Sequence, residues 1–294
     1  MVLNLDALVE DLERKRDEFS RMIVELHRGN WHYLASLDPK LFNPTDKELI
    51  LLTLPIFSPS EPRKSGRQYY SHQLSAVYLA DKFLDKEHPN FDKTKRIILV
   101  HDLVDEAWKY DEGRANGERE SFGLRFKEDL DSAILMAPPQ SRDFPTIQGW
   151  YVNFQFEKVA QIVQVLTYGG EAEANALCAD TLDNQTDNSY LTGLNADGAR
   201  YKLKVSTAKL IFIASELSQR APEMTKVMLE VSQAMIAEYG IDQEGINSSL
   251  RCYNDIKNLY KHEAQSRIKG PFIQGIESHL KKFRFQIPQD FSYR

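Results

Sequence analysis

Cysteine is scarce in this chain of 294 residues, and its two cysteines, Cys178 and Cys252, lie far apart. No Cys-x-x-Cys pair occurs, so the sequence predicts neither a thiolate zinc site nor a disulfide framework. A continuous run of about 18 apolar residues is also missing, and the first residues lack the apolar stretch of a signal peptide. We therefore expect a cytoplasmic protein without a membrane span.

An excess of positive charge is missing as well. The chain has 37 Lys and Arg against 43 Asp and Glu, which gives a formal net charge of -6. General nucleic-acid binders are usually basic, so nucleic acid is disfavoured as a partner. With 42% apolar and 27% charged residues, the composition is typical of a globular protein. The length suits one large domain with additions.

Alternating strand patterns with hairpin turns are scarce too, whereas helical periodicity recurs along the chain. The proline-rich stretch 38–66 predicts a connection with at most short helices. We expect an all-α protein with three parts: an N-terminal helix and connection (1–60), a core (61–220) and a C-terminal helical extension packed on it (221–294). Helices are predicted at 4–28, 69–87, 94–108, 121–136, 154–168, 171–188, 198–218, 222–239, 246–265 and 271–283.

The first group of candidate functional residues follows an apolar segment in "RIILVHDLVDEAW", residues 96–108. Residues three and four apart share a helix face, so His101, Asp102, Asp105 and Glu106 could point into one cleft. Buried carboxylates are costly unless they are paired or bind a metal. The alternative is a solvated acidic helix end with a surface histidine.

Two further groups of residues could contribute to a functional site. In residues 61–80, a basic turn with Arg63 and Lys64 precedes His72, which opens an apolar helix. In "ALCADTLDNQTDN", the polar positions recur at helical spacing and so share one face. These positions are Asp180, Asp183, Asn184 and Asp187. Taken alone, each group is more often a surface turn, a structural histidine or a solvated acidic face.

Taken together, two imidazoles and two carboxylates form a mixed nitrogen and oxygen ligand set. Such a set suits a divalent transition ion with open positions for water. The ion would lower the pKa of a bound water and polarise a phosphoryl oxygen. The four candidate ligands are His72, His101, Asp102 and Asp180.

The order H…HD…D is the signature of the HD-type metal-dependent phosphohydrolases. Within that group, "RKSGRQYYSHQLSAVYLA" and "LVHDLVDEA" resemble the first two motifs of the alarmone (ppGpp) hydrolases. "SFGLRFKEDLDSAI" and "CADTLDN" resemble two later motifs of the same family. The resemblance covers roughly residues 60 to 218, and it implies an HD-domain helical bundle with additional N- and C-terminal helices.

By this resemblance, one Mn²⁺, or another divalent metal, binds His72, His101, Asp102 and Asp180. The activity it implies is removal of pyrophosphate from the 3′ position of ppGpp or pppGpp. Asp105 and Glu106 would then activate water and handle protons.

The resemblance also implies a set of residues that contact the nucleotide. Arg63 and Lys64 would hold it from the basic turn. The remaining candidates follow the last metal ligand in the sequence: Asn184, Arg200, Tyr201 and Lys204.

The sequence departs from the family pattern at four residues. The acidic pair of the second motif is inverted here, to Asp105-Glu106. Gln73 replaces the proline expected after the first histidine, and Leu177 replaces a lysine before the last ligand. No segment resembles the alarmone synthetase domain, so hydrolysis alone is expected. The departures leave the choice of nucleotide open.

Three functional hypotheses therefore stand beside one another. The first is an HD phosphohydrolase acting on ppGpp or on another nucleotide. The second is a degenerate HD module that binds a nucleotide without turning it over. The third is a helical interaction protein with surface acids. The amphipathic C-terminal helices fit either packing on the core or a homo-oligomer contact.

Overall fold

The structure is a computed structural model that describes residues 4–54, 66–102, 169–187 and 194–247, with residues 162, 165–167, 249–251, 253, 254 and 257. Every regular element in this part of the chain is a helix, which confirms the all-α prediction. None of these helices has both the length and the apolarity needed to cross a membrane. The helices are α1 (Leu5–His27), α2 (His32–Ser36), α3 (Pro44–Thr53), α4 (Ser71–Phe83), α5 (Phe91–Val100), α6 (Glu171–Gln185), α7 (Ala196–Leu217) and α8 (Pro222–Tyr239).

Helix α6 occupies the centre of the bundle. It packs against α4, α5, α7 and α8, and its small and apolar residues are buried around nearly its whole circumference. Ala174, Cys178 and Leu182 are fully enclosed. A helix that contacts neighbours on all sides places even its polar side chains in the interior.

Helix α1 covers one side of the centre. It begins at Asn4, whose side chain accepts a hydrogen bond from the Ala7 amide. An apolar stripe that includes Leu12, Phe19 and Ile23 is buried, and the helix packs along α4.

The described helices share one hydrophobic core. Its buried residues run from Leu8 in α1 to Ile246, beyond the end of α8. Helices α7 and α8 lie along each other, and Met228 of α8 is completely buried. The start of the predicted C-terminal extension therefore packs on the same core as the predicted N-terminal helix.

Several predicted helices fall outside the described residues. These are 121–136, 271–283, the part of 94–108 beyond Asp102, most of 154–168 and the end of 246–265. The predicted connection 38–66 contains α3, whose ten residues begin with a capping box between Asn43 and Asp46.

Candidate metal centre

His72 lies in the first turn of α4 and is almost completely buried. Its ring nitrogens face two carboxylates of α6: Nε2 is 2.7 Å from Asp180 Oδ1, and Nδ1 is 2.5 Å from Asp183 Oδ2. The ring therefore bridges the start of α4 and the last turns of α6.

His101 and Asp102 follow directly after α5. The His101 backbone remains helical, with φ -62° and ψ -32°, and both side chains are buried. His101 Nδ1 is 2.7 Å from the Ile98 carbonyl oxygen, so it can donate to that oxygen. His101 Nε2 is then left facing Asp180 Oδ1 at 3.2 Å and Asp102 Oδ1 at 3.4 Å.

Asp180 joins the two histidines from α6. Its Oδ1 lies close to both Nε2 atoms and also accepts a hydrogen bond of 2.7 Å from the Asn184 amide, one turn later. The Asp180 side chain is 19% exposed, so solvent reaches the cluster at Asp180.

These atoms are arranged in a way that fits a metal ion. His72, His101 and Asp102 each offer a ligand atom within 4.8 Å of the others. Adjacent ligands on an ion with bonds of about 2.1 Å lie roughly 3 Å apart. The distances from Asp180 Oδ1 to the two Nε2 atoms, 2.7 and 3.2 Å, are close to that value. The cluster could therefore hold a divalent cation.

The electrostatics of the cluster favour positive charge. Burial alone would lower the pKa of His101, but the carboxylates of Asp102 and Asp180 outweigh it and raise this pKa to about 9. Burial would raise the pKa of Asp180, yet the neighbouring histidines hold it well below its usual value. Carboxylates that remain charged in an interior provide strong ligands for a cation.

Two supporting residues were not assigned a role in the sequence analysis. Arg16 of α1 is 2% exposed, and its guanidinium is 2.9 Å from Asp183 Oδ1. An arginine in line with Leu12 and Phe19 on an apolar helix stripe is the sequence signal that could have indicated a buried role. Gln73 is also fully buried, and its amide donates to Asp102 Oδ2 at 3.1 Å.

The acidic face formed by α6 and the residues directly after it is not a solvated surface. Asp183 is fully buried and Asp187 is 4% exposed. The alternative in which this face merely decorates the surface is therefore wrong for these two residues. Their charges are paired with arginines, since Asp183 binds Arg16 and Asp187 lies 3.5 Å from Arg67.

Arg67, at the end of the predicted basic turn, forms ion pairs with α1. It follows Gly66, which has a left-handed φ of +77° that favours glycine. Its guanidinium pairs with Glu13 at 2.5 Å and Asp17 at 2.7 Å. These contacts fix the point at which the turn enters α4.

The remaining predicted site residues are placed as follows. Lys204 pairs with Asp242 at 2.8 Å, and Arg200 and Tyr201 are exposed in the first turns of α7. The other four lie outside the described residues: Arg63, Lys64, Asp105 and Glu106. The described part of the chain thus brings together His72, His101, Asp102, Asp180 and Asn184.

Comparison of the chain with protein-family models, with curated proteins and with solved structures finds no significant match. The resemblance to the alarmone hydrolases therefore rests on the sequence motifs quoted above.

Proposed function

We propose that this protein is a metal-dependent phosphohydrolase with an HD-type site. The observation that supports it best is the convergence of His72, His101 and Asp180 from separate helices. Their Nε2 and Oδ1 atoms approach to 2.7 and 3.2 Å. Asp102 completes a mixed nitrogen and oxygen ligand set, which is typical of a hydrolytic divalent ion with open positions for water.

In this proposal the protein supplies binding, orientation and proton transfer. His72 and His101 present Nε2, and Asp102 and Asp180 present carboxylate oxygens. When bound, a divalent ion such as Mn²⁺ supplies Lewis acidity toward a phosphoryl oxygen and toward water. Asn184 keeps Asp180 in place through its amide hydrogen bond.

The proposed substrate is ppGpp or pppGpp, which follows from the motif resemblance. A water oxygen forms a bond to phosphorus, the 3′ oxygen of the ribose leaves, and pyrophosphate is released. Asp105 and Glu106 are assigned the proton transfers, and Arg63 and Lys64 the nucleotide contacts. Asn184, Arg200 and Lys204 remain candidates for contacts with the sugar or phosphates.

The test is incubation of the purified protein with ppGpp and Mn²⁺, followed by measurement of GDP and pyrophosphate. Asp102→Asn should lose nearly all activity because it removes a charged ligand. Asp92→Asn is the matched control, since Asp92 is an exposed carboxylate in the first turn of α5, the helix that ends just before His101 and Asp102. Product formed by the wild type and by the control, but not by Asp102→Asn, would support the assignment.

The same experiment, extended to other nucleotides, separates the alternatives. Product formed from a different nucleotide would support the assignment as a hydrolase but would replace ppGpp as the proposed substrate. Stoichiometric metal and tight nucleotide binding without product would favour the degenerate binding module, which the inverted Asp105-Glu106 pair also suits. A chain that takes up no metal would contradict the proposal and favour the helical interaction protein.

A further inference from the structure

Arg16 places a charged guanidinium in the interior, with its side chain 2% exposed. Its Nη2 donates to the Asp183 carbonyl oxygen at 2.7 Å and to Thr186 Oγ1 at 2.8 Å. Its Nε and Nη2 also donate to Asp183 Oδ1, at 3.1 and 2.9 Å. Nη1 reaches Glu13 Oε1 at 2.7 Å. A buried ion pair needs this complete set of partners to offset its desolvation, so the position of Asp183 is closely fixed.

The second oxygen of Asp183 determines the state of His72. With Oδ1 bound to the guanidinium, Oδ2 is 2.5 Å from His72 Nδ1. An ionised carboxylate only accepts hydrogen bonds, so Nδ1 must carry the hydrogen. Nε2, the other ring nitrogen, faces Asp180 Oδ1 at 2.7 Å, which makes it the nitrogen available to a cation that enters the cluster.

The two histidines of the cluster both direct Nε2 toward the other ligand atoms, but different partners hold their Nδ1 atoms. His101 Nδ1 faces the carbonyl oxygen of Ile98, three residues earlier in its own segment. His72 instead depends on α6 for its partner and, through Asp183, on α1. Its orientation is therefore set by long-range packing, whereas that of His101 is set locally.

We propose that Asp183 and Arg16 are positioning residues that hold the His72 ring with Nε2 directed into the ligand cluster. This inference rests on the proposed metal site, and it makes α1 a part of that site. Groups that orient a metal-binding histidine typically change metal affinity by 10–100-fold when they are replaced.

The alternative is an ion pair that only stabilises the fold, and Lys95 and Asp46 provide a matched control. They form another buried pair, at 2.9 Å, with side chains 3% and 0% exposed. In Asp183→Asn and in Asp46→Asn, a buried cation loses its fully buried carboxylate and keeps one more exposed partner, Glu13 for Arg16 and Asp92 for Lys95. Both variants should lower the free energy of unfolding, but only Asp183→Asn should also affect the metal cluster.

The experiment measures Mn²⁺ affinity by competition with a chelator in folded wild type, Asp183→Asn and Asp46→Asn. We expect about 10–100-fold weaker binding for Asp183→Asn and unchanged binding for Asp46→Asn. Equal affinity in Asp183→Asn and wild type, or an equal loss in both variants, would overturn the inference. If Asp183→Asn does not fold, Arg16→Lys replaces it, because a lysine keeps the charge but loses the forked contacts. The Mn²⁺ affinity of Arg16→Lys should be several-fold weaker than that of the wild type.

A second readout separates this inference from the proposed function. ¹⁵N-histidine NMR of the metal-free wild type and of Asp183→Asn reports the hydrogen bond between His72 Nδ1 and Asp183. A hydrogen-bonded Nδ1 in the wild type that is lost in Asp183→Asn supports the positioning role even if no metal binds, and the absence of metal binding would contradict only the proposed function. An Nδ1 signal that is the same in both proteins would overturn the positioning role.

Discussion

Gln73 is a residue at which the chain departs from the motifs that it resembles, and the departure has a visible consequence. Where a proline is expected, this chain has a buried amide that donates to Asp102 Oδ2. The other end of the amide, Oε1, has no hydrogen-bond partner within the described residues. A buried polar atom without a partner destabilises the fold, so the residue is poorly explained by stability and better explained by its contact with Asp102.

Gln73→Leu should therefore weaken metal binding with little loss of stability. We expect about tenfold weaker Mn²⁺ affinity, because Asp102 loses a group that orients it. The free energy of unfolding should change by less than about 1 kcal/mol, since the lost hydrogen bond is offset by removal of the unpaired oxygen. Chelator competition and urea unfolding measure the two quantities.

Thr181→Val is the control for that change. Thr181 is fully buried in α6, and its hydroxyl oxygen has no partner among the described residues. It should leave metal affinity unchanged. A similar loss of affinity in both variants would mean that Gln73 acts through packing and not through Asp102.

Single residues were predictable where local spacing decides their position. Asp180 and Asn184 are one helical turn apart, and the structure joins them by a hydrogen bond. The pairing of Arg16 with Asp183 joins residues 167 positions apart in the chain. Such a pair depends on how helices pack, which helical periodicity in a single sequence does not determine.

Between elements, Asp11 links α1 to α4. Its carboxylate accepts hydrogen bonds from Tyr78 at 2.8 Å and from Lys82 at 2.6 Å. Burial alone would raise the pKa of Asp11, but contacts with Lys82 and Tyr78 outweigh it and lower this pKa to about 2. The link therefore forms with the charged carboxylate.

The stabilisation by Asp11 should depend on pH in a defined direction. The pKa of Asp11 falls from 3.8 to about 2 on folding. The contribution of Asp11 to the free energy of unfolding is therefore complete at pH values above the pKa of the unfolded chain, and it is lost as pH falls toward 2. Asp11→Asn should cost at most about 1 kcal/mol at pH 7, as for partly exposed ion pairs. The difference in the free energy of unfolding between Asp11→Asn and wild type, measured with urea, should become smaller below about pH 4.

Glu10→Gln serves as the control, since Glu10 is exposed and makes no ion pair among the described residues. It should leave stability close to that of wild type at every pH. If the difference in the free energy of unfolding between Asp11→Asn and wild type stays constant down to pH 3, the stabilising role given to the charged Asp11 carboxylate is contradicted.

Helix boundaries were predictable where capping residues mark them. Helix α8 spans Pro222–Tyr239 as predicted, because proline suits the first turn and Gly240 adopts the left-handed conformation that ends a helix. Helix α3 was not predicted as a separate element, although Asn43, Pro44 and Asp46 form a capping signal. The high proline content around it obscured that signal.

At the scale of the whole molecule, the single core predicts a single unfolding transition. Met228 of α8 is fully buried, whereas its neighbour Leu229 is 40% exposed. Met228→Ala should cost about 2–5 kcal/mol, and Leu229→Ala less than about 0.5 kcal/mol. Because α8 shares its core with α7, the loss should shift the entire transition in urea.

Circular dichroism and fluorescence, followed in the same titration, give the check. Coincident curves for the wild type and for Met228→Ala are expected. Two separate steps, of which Met228→Ala moves only one, would show that α8 belongs to an independent folding unit.

The distance along the chain between Arg16 and Asp183 also has a consequence for synthesis on the ribosome. Asp183 follows Arg16 by 167 residues, so Arg16 is synthesised well before its partner on α6. Until then the guanidinium stays hydrated, and His72 lacks the carboxylate that selects its protonated nitrogen. The complete set of four proposed ligands therefore forms only after α6 has been synthesised and has packed against α4 and α5.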